Sequence, residues 1–160
     1  AKLRVRVHDI CDPLDAELRS CQFDTAFSLN VLEHVEQDQL ALHRMAELLV
    51  PGGRAIVIVP AHSWAYGTMD VSIGHFRRYS KRSFAGKARQ ANLLVEKQFY
   101  LNLVGLCGWF INGRVLRKPV PPRGQLKLFN RLVAVLRFCE QRVRPPCGLS
   151  LVTVARKAFD

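Results

Sequence analysis

Apolar and polar positions alternate most tellingly between Phe23 and Pro60. Asp24 precedes a short apolar run, Thr25 to Leu29, long enough for a strand buried on both faces. Polar Asn30, Glu33 and His34 crowd the end of that run, where a parallel α/β sheet builds its sites. Gln39 to Leu49 carries Leu40, Leu42, Met45, Leu48 and Leu49, a helical apolar stripe. Pro51-Gly52-Gly53 should end that helix, since proline cannot continue it and glycine supplies the turn. Ala55 to Val59 then reads as a second buried strand. Strand, helix, turn and strand in this order predict a parallel crossover unit.

The flanks read more simply. Leu3 to Val7 is strand-like, and Asp12-Pro13 precedes a short helix from Leu14 to Arg19, with Asp12 as its cap. Ser80 caps a helix running to about Gln90, Asn92 closes it, and Leu93 to Leu101 is a strand. Leu101 to Gly113 contains no charge, and Arg114, Arg117 and Lys118 follow directly. That stretch is shorter than the eighteen or so residues of a membrane span. With Trp109 and Phe110 near its basic end it has the makeup of an interfacial helix, or of a lid packed on the sheet edge or on substrate. Pro119 to Pro122 form a rigid linker. Leu126 to Val143 predicts a basic amphipathic helix with Leu128, Leu132, Val135, Leu136 and Cys139 on one side, and Gly148 to Arg156 the last strand.

Composition changes this picture in two places. At 160 residues and 49% hydrophobic, the chain can form one domain with a core of its own. The five cysteines are scattered, odd in number and without a Cys-x-x-Cys pair, which argues against a disulfide framework and a zinc site and for a reducing compartment. The opening residues lack the apolar block of a signal peptide. A cytoplasmic protein, with a membrane surface as a candidate partner, is expected. Charge is split unevenly. Residues 1–74 hold 6 Lys/Arg and 10 Asp/Glu, whereas residues 75–160 hold 18 Lys/Arg and 3 Asp/Glu. An anionic partner is therefore expected for the second half only, unless that half is simply a solvated basic face.

The ordered pair Asn30-Val31-Leu32-Glu33-His34-Val35 and Leu48-Leu49-Val50-Pro51-Gly52-Gly53-Arg54, with a strand on each side, closely resembles the middle of class I S-adenosylmethionine-dependent methyltransferases of the small-molecule type. The resemblance implies a Rossmann-like α/β sheet, mostly parallel, whose last strand inserts antiparallel between two others. It covers almost the whole chain, beginning at the family's third strand. The glycines include no Gly-x-Gly, so the glycine loop and the first strands of the family are not expected here. The organisation expected is a partial methyltransferase domain over residues 1–160, with a helical basic insertion at about 102–147.

By the same resemblance, the cofactor is S-adenosyl-L-methionine. Asp9 and the backbone N–H of Ile10 would meet its adenine; a carboxylate suits an exocyclic amine as a strong acceptor. Leu29, Asn30, Val31 and His34 would lie beside its methionine portion. Some relatives hold a divalent cation with an acidic-x-x-Glu-His pattern. Asn30 stands at the first acid here, and one Glu with one His makes a weak site, so no metal is assigned and Glu33-His34 is read as helix capping. The loop after the second strand is polar, aromatic and basic together, where this fold places its acceptor. His62 and His75 are candidates to take a proton from a nucleophile, Arg77 and Arg78 to hold an anionic group. Trp64, Tyr66 and Tyr79 complete the candidate substrate set; the alternative is that His75 and Arg77 brace this loop against Asp70 and the sheet. Methyl transfer to a small-molecule or lipid-linked, anionic acceptor leads. Its rival is a non-catalytic binding module derived from a methyltransferase, docking through the basic half. Nucleic acid is disfavoured, because the Asn-Pro-Pro-Tyr or Asp-Pro-Pro-Tyr string of amino-methylating nucleic-acid enzymes is missing.

Overall fold

The computed structural model describes residues 5–143 and 145–159, without the side chains at 123, 126, 137, 139 and 141. In chain order it contains α1 (Ala16–Ser20), β1 (Phe23–Leu29), α2 (Asp38–Leu48), β2 (Leu49–Pro60), α3 (Thr68–Ser72) and α4 (Lys81–Gln90). β3 (Leu93–Leu101), α5 (Leu103–Phe110), a π-helical turn (Ile111–Val115), α6 (Arg123–Arg142) and β4 (Ser150–Lys157) follow. The four strands lie in the order β1-β2-β4-β3. β1 pairs parallel with β2, and β4 runs antiparallel between β2 and β3. Three strands therefore point one way and the last is inserted against them, as the resemblance implies. The helical segment falls between β3 and β4.

α2 forms because its buried face repeats at helical spacing. Ala41, Leu42, Met45 and Ala46 are buried there, and Leu49 continues the row as the strand begins. Two alanines belong to that face where the sequence reading has Leu40 and Leu48, both of which are only half-buried. α4 opens on Ser80, whose hydroxyl accepts from the Ser83 N–H, the expected cap. Its Phe84 and Ala88 join Tyr79, Leu93, Val57, Val59 and Leu151 in one apolar cluster with α2.

Four expectations need correction. Pro51-Gly52-Gly53 is no turn between helix and strand: β2 already begins at Leu49, paired with Phe23, and the triplet bulges the ladder before Arg54 pairs with Thr25. Gly52 sits at φ +78°, which only glycine adopts without strain. β1 is not buried on both faces. It is an edge strand, and Phe27 and Leu29 remain 72% and 50% exposed. Val5 to Val7 form no strand and pair with no ladder, with Val5 and Val7 both exposed; Leu3 and Arg4 lie outside the described residues. The short helix after Pro13 is capped by Asp15, which accepts from Leu18 N–H, in place of Asp12. The apolar side read for α6 includes Cys139, whose side chain is likewise outside the description.

Candidate active site

β1 and β2 end side by side, and Asn30 N–H bonds to Ile58 C=O just past the ladder. Asn30 (φ +52°) and His62 (φ +63°) both turn the chain in the left-handed region there. Such backbone is uncommon outside glycine and, for histidine, stores strain of the kind found at working sites. From this point residues 62–79 loop over the strand ends and return through a bridge between Ala61 and Tyr79.

One carboxylate organises the loop. Asp70 is fully buried on α3. Its Oδ1 accepts from His75 Nδ1 at 2.9 Å and from Arg78 Nε at 2.7 Å. Its Oδ2 accepts from Trp109 Nε1 at 3.0 Å and from the Gly67 N–H at 3.0 Å. Burial acts to raise the Asp70 pKa, but the His75 and Trp109 bonds and the charge of Arg78 outweigh it and hold the carboxyl below its ordinary range. An ionised carboxylate can only accept, so Nδ1 of His75 carries a proton, and whenever the ring is neutral its lone pair lies on Nε2. This is the geometry of an oriented base.

Nε2 faces Glu33, whose Oε1 lies 3.8 Å away. Glu33 is buried, its Oε2 has no hydrogen-bond partner among the described residues, and burial pushes its pKa up. His34, exposed, holds the Gly74 carbonyl at 3.2 Å through Nδ1 and packs edge-on against the His75 ring at 4.7 Å. Glu33, His34 and His75 each offer a donor atom within 4.8 Å of the others, a set that could hold a divalent cation. His75, the third donor, lies 41 positions beyond His34, so the pair Glu33-His34 alone does not reveal it.

His62 is placed apart from His75. Its ring lies between Trp64 at 5.1 Å and Tyr100 at 4.7 Å, with Gly148 N–H 3.5 Å from Nε2. Burial, helped by the charge of Arg78, lowers its pKa. Trp64 is exposed and meets Phe110 edge-on at 5.4 Å.

The remaining substrate candidates are engaged within the protein. Tyr66 donates its hydroxyl to His75 C=O at 2.7 Å. Arg77 binds Asp38 at 2.7 Å and Glu36 C=O at 2.8 Å. Arg78 is buried between Asp70, Ala61 C=O and the face of Trp109. Tyr79 is buried and donates to Asp38 at 2.8 Å; burial first, and then that carboxylate, drive its pKa up. So His75 and Arg78 brace the loop on Asp70, while Arg77 braces it on α2.

The cofactor candidates lie open. Leu29, Asn30 and Val31 are exposed at the β1 end, and Ile10 is partly buried against the core. Asp9 is exposed, with Oδ1 accepting from Cys11 N–H at 2.8 Å. An exposed carboxylate and an open strand end are compatible with adenine and amino-acid recognition.

Comparison with known proteins agrees with this architecture. Residues 1–57 match the family model described as a methyltransferase domain. Among solved structures, the chain is similar to a Haloferax volcanii protein described as a methyltransferase and solved with the Trm112 methyltransferase activator. There the TM-score is 0.58 at 18% identity, over 97% of this chain and 61% of that one. A Bacillus halodurans protein described as a methyltransferase gives 0.55 at 13% identity, over 95% of this chain and 70% of that one. A Burkholderia thailandensis 1,6-didemethyltoxoflavin N1-methyltransferase, solved with that compound and S-adenosylhomocysteine, gives 0.50 at 20% identity, over 93% of this chain and 48% of that one. No curated protein sequence matches the chain. The fold is that of the class I methyltransferases, and the resemblance read from residues 30–54 stands.

Proposed function

We propose that the protein transfers a methyl group from S-adenosyl-L-methionine to a small-molecule acceptor, with His75 Nε2 taking the acceptor's proton. The observation that carries this reading is the Asp70–His75 pair beside the ends of β1 and β2. A positioned imidazole supplies general-base catalysis where the nucleophile must lose a proton. Methyl transfer otherwise depends on alignment, which Asp70, Trp109 and Arg78 support by fixing the ring. S-adenosylmethionine would supply an electrophilic methyl group. Asp9 and Ile10 would meet its adenine; Leu29, Asn30, Val31 and His34 its amino-acid end. The family match and the S-adenosylhomocysteine bound to a fold relative support this choice.

Trp64, more than half exposed beside His62 and Phe110, is the substrate candidate with surface left for an acceptor. The docking-module alternative draws on the basic half alone, whereas the methyltransferase family match over residues 1–57 supports methyl transfer.

Calorimetric titration with S-adenosylhomocysteine tests the cofactor half. Binding is expected of the full-length protein, where Asp9→Ala should weaken it about tenfold, the worth of one hydrogen bond to a charged group; these 160 residues, which contain no Gly-x-Gly, should bind feebly. Unchanged affinity would remove Asp9 from the site.

A further inference from the structure

Trp109 has two faces of use. Its Nε1 donates to Asp70, and its ring stacks on His75 with centroids 6.5 Å apart. The same residue walls a cavity of about 460 Å³ between α5, the π-helical turn and α6. Met69, Ile111, Phe129, Leu132 and Leu136 are among its apolar lining. That volume lies within the range of about 300–1,000 Å³ usual for ligand sites.

The wall is held firmly to the catalytic loop. Thr68 Oγ1, with one proton to give, lies 2.7 Å from Lys118 C=O and 3.0 Å from Gly113 C=O, and Ser72 Oγ donates to Pro119 C=O at 2.5 Å. Gly67 and Gly113 pass so closely that a Cβ on Gly67 would sit 2.5 Å from Gly113 O. The turn itself closes by Leu116 N–H to Ile111 C=O, a π-type bond of the sort that marks functional sites. Asn112, buried, donates to Gln125 at 2.6 Å and ties the turn to α6. Cavity and base are thus one assembly joined through Trp109.

Charge selects the occupant. From Lys97 to Gln141 the chain carries eight Lys/Arg and one acid, Glu140, whose carboxylate is taken up by the Asn102 and Leu103 N–H groups. Arg114, Arg117, Lys118, Lys127 and Arg131 are exposed around and between the elements that line the cavity. We infer that the cavity receives the alkyl or isoprenyl chain of an anionic amphiphile, whose polar end reaches the His75 side of Trp109 for methylation. The inference rests on the methyl-transfer reading, since it takes this amphiphile to be the acceptor.

The test is calorimetry of the protein with dodecyl, octyl and inorganic phosphate, each below its aggregation concentration. Dodecyl phosphate should bind, inorganic phosphate should not bind measurably, and affinity should fall by about fourfold per buried methylene removed. Leu132→Trp, which fills the cavity, should abolish dodecyl phosphate binding at an unchanged melting temperature. Ile111→Trp serves in its place if that variant does not fold. Equal affinity for octyl and dodecyl phosphate, or full binding by the filled variant, overturns the inference; so does adsorption to anionic vesicles that both variants retain while dodecyl phosphate is ignored. A methyl acceptor whose turnover ignores both fillings would overturn the cavity assignment and leave the methyl-transfer reading standing. Chain-length-dependent binding without S-adenosylhomocysteine binding would do the reverse.

Discussion

Asp70→Asn isolates the group on which the site is built. The side chain is fully buried, and every partner it has is a donor: His75 Nδ1 and Arg78 Nε on one oxygen, Trp109 Nε1 and Gly67 N–H on the other. An amide has one oxygen and one NH₂. Whichever way it is turned, two donors face another donor, and Arg78 loses the charge that compensates it. Removing one partner of a buried ion pair costs about 3–5 kcal/mol. Urea unfolding followed by far-ultraviolet circular dichroism should show that loss at pH 7. The sign with pH follows from the direction of the Asp70 shift. A depressed carboxyl contributes stability that is fully present above its ordinary pKa of 3.8 and is lost as pH falls through the lower folded value. The gap between wild type and Asp70→Asn should therefore be constant from pH 7 down to about 4 and close below that. A loss under about 1 kcal/mol at pH 7, or a gap that persists unchanged in acid, would refute Asp70 as an ionised hub.

Two further outcomes are expected. Gly67→Ala forces a methyl group to within 2.5 Å of Gly113 O and should destabilise by about 1–3 kcal/mol in the same urea assay, with Trp109 fluorescence reporting the displaced α5. His62 is held neutral by burial, so its contribution is complete above the ordinary value of 6.5 and lost as pH falls toward the folded value. His62→Asn, which keeps a residue tolerant of φ +63°, should accordingly lose less stability between pH 7.5 and 5.5 than the wild type does.

Much of the sheet was legible because its strands and helices carry strong local signals. Leu93 to Leu101 matches its strand end to end, and Ser80 caps the helix it was expected to cap. Where the sequence reading failed, a neighbour decided the matter. Pro51-Gly52-Gly53 has turn composition, yet pairing of Leu49 with Phe23 carries the strand through it as a bulge. Phe27 and Leu29 look like core residues, yet both are exposed on β1, an outer one of the four described strands.

The site was legible in part. Residue type singled out His75, Arg77 and Arg78, but not which partner each would take. Asp38 went unnoticed although it binds Tyr79, Lys87 and Arg77, and burial is outweighed by those bonds so that its carboxyl stays low. Its signal was present: an acid one turn before Ala41 and Leu42, on the apolar face of α2. Trp109 looked like a membrane anchor or a lid residue. Its bond to Asp70 spans 39 positions and no periodicity announces it.

The most direct test of the account is methyl transfer by His75→Asn. Asparagine can keep a donor where Nδ1 meets Asp70, and it has nothing at the place of Nε2. The assay follows label from methyl-labelled S-adenosylmethionine into a small-molecule and lipid extract, with S-adenosylhomocysteine affinity measured alongside. The account expects transfer to fall by about 10²- to 10⁴-fold, the usual worth of a general base, while cofactor affinity and melting temperature hold. Transfer at the wild-type rate by a folded His75→Asn protein would contradict it.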